Sequence, residues 1–110
     1  MILASDQIRG LVENSSLISD FSVDCLEQAG YDLRVNKCYI LKSRAKMMKD
    51  CRRMPEVQAL EGPVYTIKPG GYVLVETIEK VKMPVDLAAR ILSKSSLFRC
   101  GLSLKTALVD

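Results

Sequence analysis

Val64-Tyr65-Thr66-Ile67-Lys68-Pro69-Gly70-Gly71-Tyr72-Val73-Leu74-Val75-Glu76-Thr77 reads as a strand, a tight turn and a second strand. Both flanks are rich in β-branched and aromatic side chains, which suit a pleated, half-buried surface. Between them, Pro69 presets φ for a turn and Gly70 is free to take positive φ. This stretch sets the expectation of a β protein.

Similar short apolar runs recur on either side. Upstream, Ala29 to Val35 alternates apolar with polar residues, so that Tyr31, Leu33 and Val35 share one face and Asp32 and Arg34 the other. Cys38 to Leu41 reads as a further strand after an Asn36-Lys37 turn. Downstream, Leu87 to Leu92, Gly101 to Leu104 and Ala107 to Val109 suggest three more. Tyr31, Leu33, Leu87, Ile91 and Leu92 are the expected core positions of this region. Two segments depart from the pattern. Ser5 to Val12 carries capping candidates at Ser5 and Asp6 and an apolar face of Ile8, Leu11 and Val12, which predicts a short N-terminal helix. Ala45 to Arg53, rich in Met, is expected to form a short helix ended by Pro55.

At 110 residues, with nearly half of them apolar, the chain fits one domain spanning residues 1–110. The net charge is only +3, but Lys42, Arg44, Lys46, Lys49, Arg52 and Arg53 lie close together against a single acid, Asp50. A basic segment can meet nucleic acid, yet no aromatic residue is interleaved to stack on bases, so nucleic-acid binding is not expected. Cys25, Cys38, Cys51 and Cys100 form no C-x-x-C pair and the chain has no His, which argues against a zinc site. Four free thiols suit the reducing cytoplasm. No apolar run approaches the ~18 residues of a membrane span and no signal pattern opens the chain, so a soluble, intracellular protein without a membrane partner is expected.

The chemistry concentrates in Ser93-Lys94-Ser95-Ser96-Leu97-Phe98-Arg99, directly after the apolar run Leu87 to Leu92. A turn or helix start here would aim hydroxyls and backbone N–H groups at one point, flanked by the charges of Lys94 and Arg99, where an anion is favoured. The plainer reading of the same residues is a serine-capped helix start with two solvated cations.

Four features in order decide between them: Ala29-Gly30-Tyr31-Asp32-Leu33, Pro69-Gly70 before a strand ending at Thr77, Lys94-Ser95-Ser96-Leu97-Phe98-Arg99, and Val109-Asp110. Together they resemble the dUTPase and dCTP deaminase superfamily. The first is similar to its A-G-Y-D-L motif, the third to its R-S-S-L-x-R motif, and the last to the opening of its I/V-D-x-G/D-Y/W-x-G motif. Ile2 to Ile8 also resembles the start of deaminase-type and archaeal dUTPase-type members. Nearly the whole chain is covered except the basic segment.

The resemblance implies a mainly β fold, a distorted jelly-roll or β-barrel of the β-clip type with a short N-terminal helix. It also implies a homotrimer with active sites between subunits. The implied substrate is dUTP or dCTP, with Mg²⁺ as cofactor. Asp32 would lie near the Mg²⁺–triphosphate through water. Ser95 would hydrogen-bond the phosphate at the cleaved link, Lys94, Ser96 and Arg99 would hold the phosphates, and Asp110 would sit by the deoxyribose and the attacking water. Lys94 stands where the family usually has Arg, giving a point charge without the bidentate fork.

Family members continue beyond the position of Asp110. The 110 residues are therefore expected to be a C-terminally truncated form, an incomplete barrel with about half an active site, not competent alone. The match at Ala29 to Leu33, and the lack of a histidine-containing insertion between Gly101 and Asp110, favour hydrolysis of dUTP to dUMP and pyrophosphate. Deamination of dCTP to dUTP, perhaps coupled to hydrolysis, and a non-catalytic nucleotide-binding module are the alternatives.

Overall fold

The structure is a computed structural model and describes residues 1–106 and 108–110. Helix α1 spans Ser5–Ser15. Ala4, in extended conformation, takes the N-cap position that Ser5 and Asp6 were candidates for, and its N–H donates to Gln7 Oε1 at 2.9 Å. Asp6 falls in the first turn instead, where a negative charge is favoured. Ser16 ends the helix in the left-handed region with φ 54°, and the Ser16 and Leu17 N–H groups close back onto Val12 and Leu11.

The apolar face of α1 lies on the principal core. Ile8, Leu17 and Ile18 are buried there, with Leu3, Leu11, Val12, Phe21, Leu26, Tyr31 and Met83 packed against them. Phe21 stacks on Tyr31 with ring centroids 5.3 Å apart. The far side of this core is closed by a crossing: Ile18 bridges Val81, the Ser19 N–H donates to the Lys80 carbonyl, and the Lys82 N–H donates to the Leu17 carbonyl.

The fold is mainly β, with sheets that do not close into a barrel. Among the described residues the strands form four separate antiparallel sheets. After a single 3₁₀ turn at Val23–Cys25, β1 (Leu26–Glu27) pairs with β2 (Gly30–Tyr31). The longest strand, β3 (Val35–Leu41), lies between β6 (Val57–Ala59) and β7 (Leu74–Thr77). A hairpin of β4 (Lys46–Met47) and β5 (Arg52–Arg53) lies between β3 and β6 in sequence, and β8 (Ala89–Arg90) pairs with β9 (Leu108–Val109).

Several expectations need correction. The Lys68–Gly71 turn forms, with Gly70 at φ 76° and the Gly71 N–H donating to the Lys68 carbonyl at 2.8 Å. That is type II geometry, whose twist splays flanking strands. Val64–Ile67 accordingly forms no strand, and Leu74–Thr77 pairs with β3. Ala45–Arg53 is not helical but contains the β4–β5 hairpin, closed by the Met48 N–H on the Cys51 carbonyl. A helix would have stacked Lys46, Lys49 and Arg53 at three- and four-residue spacings, where like charges repel. Gly101–Leu104 forms no strand, and Ala107, the first residue of the expected last strand, lies outside the described residues. Ile91 and Leu92 are exposed rather than core, because β8 pairs with β9 alone among the described residues. Tyr31, Leu33 and Leu87 are half-buried.

The chain is open for its length. Its radius of gyration is 16.3 Å, against about 13 Å for a compact domain of this length. Its accessible surface is 9200 Å², against about 6,100 Å² for a compact monomer of this size.

Candidate phosphate-binding site

Strand β2 ends at Tyr31, and Asp32 begins the link to β3. This link is held by backbone bonds at both ends. The Asp32 N–H donates to the Cys25 carbonyl at 2.8 Å, and the Arg34 carbonyl accepts from the Ile78 N–H at 2.9 Å. Beneath it lies Glu79, only 2 % exposed. Its carboxylate accepts from the Arg34 N–H (2.9 Å), Arg34 Nε (2.8 Å) and the Tyr31 hydroxyl (2.9 Å). Tyr31 Oη in turn accepts the Ser22 N–H at 3.1 Å, and Arg34 Nη2 donates to the Asp20 carbonyl. Burial pushes the Glu79 carboxyl up, but the hydrogen bonds, led by those from the Arg34 backbone and guanidinium, outweigh it and bring the pKa down to about 2.

The second part of the site is helix α2 (Ser95–Arg99). Lys94 occupies its N-cap position in an extended conformation, and its carbonyl accepts from the Leu97 and Phe98 N–H groups. Gly101, at φ 86°, turns the chain away, with the Leu102 N–H returning to the Leu97 carbonyl. Ser95, Ser96 and Arg99 are exposed, so their side chains are open to a ligand.

Among the described residues, one side-chain hydrogen bond joins the two parts. Lys94 Nζ lies 2.5 Å from Asp32 Oδ2, joining positions 62 residues apart in sequence. The hydrogen bond to Asp32, and then its charge, push the Lys94 ammonium pKa up. Asp110 is not brought to the same place. It follows Val109, which pairs with Ala89, so the antiparallel register carries Asp110 past Ala88, away from the end of β8 that leads to Ser95. It is exposed, and no hydrogen bond or ion pair joins it to the other site residues among those described.

The dCTP deaminase-like family model matches residues 2–110, nearly the entire chain. The chain belongs to the dCTP deaminase-like family.

This dCTP deaminase-like chain is 32% identical over 94 residues to a probable deoxyuridine 5'-triphosphate nucleotidohydrolase of Methanothermobacter thermautotrophicus, covering 86% of the chain and 62% of that protein. It is 32% identical over 111 residues to the "dCTP deaminase, dUMP-forming" of Corynebacterium kroppenstedtii, covering 93% of the chain and 58% of that protein. A dCTP deaminase of Pyrobaculum calidifontis is 30% identical over 115 residues, covering 100% of the chain and 65% of that protein. The chain thus spans about three-fifths of the length of the curated relatives it matches. No solved structure gives a significant match.

The dCTP deaminase-like chain offers little to a bare metal ion. Among the described residues no three His, Cys, Asp or Glu side chains cluster, and Asp32 is the carboxylate beside Lys94.

Sequence reasoning passed over Glu79. In Thr77-Ile78-Glu79-Lys80 it is one more acid beside a lysine, and no motif or periodicity marks it as buried. The alternation of Ala29 to Val35 sets Arg34 on a polar strand face; its partner comes from 45 residues away.

Proposed function

We propose that the chain is a single domain carrying the phosphate-binding part of a deoxynucleoside triphosphate enzyme, with hydrolysis of dUTP to dUMP and pyrophosphate as the leading reaction of the complete family member. One observation carries this reading: the Asp32–Lys94 contact, which joins the two motif stretches that such a reaction needs. Lys94, Ser96 and Arg99 hold the phosphates, and Ser95 bonds the phosphate at the cleaved link. A Mg²⁺ arriving with the triphosphate would act as Lewis acid on its oxygens, and Asp32 would hold it through water. An incoming triphosphate competes with Asp32 for Lys94, since phosphate and carboxylate attract the same ammonium.

Asp110 serves beside the attacking water in a site completed by another copy of the chain. The β8–β9 register supports this, because it points Asp110 away from the Ser95 of its own chain. A homotrimer is the arrangement we favour. The large accessible surface and the exposed Val35, Val57, Leu74 and Val75 of the central sheet also suit further burial. The four free cysteines suit a cytoplasmic setting, and no described helix is long and apolar enough to cross a membrane.

The second reading, dCTP deamination alone or coupled to hydrolysis, draws on the names of the Corynebacterium and Pyrobaculum relatives. Incubation of a catalytically complete form of the protein with dUTP and with dCTP, with pyrophosphate and ammonia measured separately, distinguishes the two. Pyrophosphate from dUTP without ammonia from dCTP is expected. Ammonia from dCTP overturns the pure dUTPase reading, and binding of dUTP without any product leaves a nucleotide-binding module.

A further inference from the structure

Among the described residues, the Asp32–Lys94 pair is the one side-chain hydrogen bond or ion pair tying the Lys94–Arg99 stretch to the first half of the chain. The position of Asp32 therefore sets where the Lys94 ammonium sits. Asp32 itself is only partly buried, and its side chain is 28% exposed. What immobilises it is its neighbours. Tyr31 directly before it and Arg34 two residues after it both bond to the Glu79 carboxylate, whose side chain is fully buried. The carboxylate accepts three hydrogen bonds, and a buried acceptor so satisfied has one low-energy arrangement.

We propose that Glu79 is a positioning residue: by anchoring Tyr31 and Arg34 on either side of Asp32, it sets the direction in which Asp32 holds Lys94, and so the place where a nucleoside triphosphate is gripped. The proposal rests on the reading of Lys94–Arg99 as a phosphate site. Glu79 bonds to Tyr31 and Arg34 rather than to Asp32 or Lys94. It acts through the backbone of residues 31–34, and a small displacement of a binding group is enough to matter.

The test is Glu79→Gln in the full chain, which keeps the size and one acceptor oxygen but removes the charge facing Arg34. At a temperature where circular dichroism shows the variant folded, two readings are taken. Calorimetric titration with dUTP and Mg²⁺ is expected to show Kd raised about tenfold or more. The ¹³C resonance of the Asp32 carboxyl, which in the parent chain should move when Lys94→Met is introduced, is expected to stop responding in the Glu79→Gln background.

If Glu79 merely supported the fold, Glu79→Gln would lower the unfolding temperature and leave both readings at parent values; that result overturns the proposal. If the parent chain binds no dUTP, the phosphate reading fails, while the Asp32 resonance still decides the role of Glu79. Should Glu79→Gln not fold, Tyr31→Phe and Arg34→Lys each remove side-chain donors from the network. A reduced Asp32 response in either supports the proposal, and the parent response in both overturns it.

Discussion

Glu79 and Arg34 are joined twice, once through the Arg34 backbone N–H and once through its Nε, across 45 residues of sequence. This doubled contact welds the second residue after β7 to the residue before β3, so the ladder between those strands begins at a fixed point. It also has a consequence for acid stability. The folded-state pKa of Glu79, about 2, lies below the ordinary 4.5. Its contribution is therefore fully present above about pH 4.5 and is lost as pH falls toward 2. The contribution is on the order of 2 kcal/mol, below what the pKa difference alone converts to, because the Arg34 side chain is 39% exposed and screened. Urea unfolding of parent and Glu79→Gln chains should show a gap near pH 6 that shrinks by more than half near about pH 2.5. A gap independent of pH would mean that the Glu79 charge is not what stabilises the fold.

The Lys94–Asp32 pair should behave in the opposite way. Both side chains reach solvent, at 58% and 28% exposure, so the pair adds little to folding. Lys94→Ala is expected to leave the urea midpoint within error and to weaken dUTP binding about tenfold, the loss of one charge-assisted contact to phosphate. Calorimetric titration beside an unfolding curve checks both halves.

Ser95 is exposed at the first position of α2, one residue beyond Lys94. A hydroxyl that bonds the phosphate where charge develops contributes more to the transition state than to ground-state binding. In a form of the protein that turns over dUTP, Ser95→Ala should lower kcat by about 10²-fold while Kd changes little. Equal turnover by parent and variant removes Ser95 from the mechanism.

The basic hairpin permits a separate structural test. Lys46 and Arg53 stand directly opposite each other across β4 and β5, and like charges in that relation destabilise a ladder. Lys46→Glu replaces repulsion with attraction and should stabilise the hairpin by roughly 0.2–1 kcal/mol at low salt, with the gain fading near 1 M salt. Exchange of the Met48 amide hydrogen, whose bond to Cys51 closes the hairpin, reports it locally.

Local rules carried much of this fold. The face of Ile8, Leu11 and Val12 marked α1, the Pro69-Gly70 turn was visible as such, and Ser95 does open a helix. Failures occurred where pairing is non-local. Val64–Ile67 has strand composition but sits behind a turn of the wrong twist, and the Met-rich segment has helix formers whose charges crowd a helix.

By itself, then, the sequence determined the β character, the N-terminal helix and the identity of the two motif stretches, because composition, turn residues and spacing act over a few residues. Only the tertiary structure decided that Asp32 meets Lys94, that Asp110 leads away from Ser95, and that Glu79 is the buried acid beneath the loop. Those relations depend on which distant strands pair and in what register, and a carboxylate becomes buried only when several donors from separate segments arrive to satisfy it.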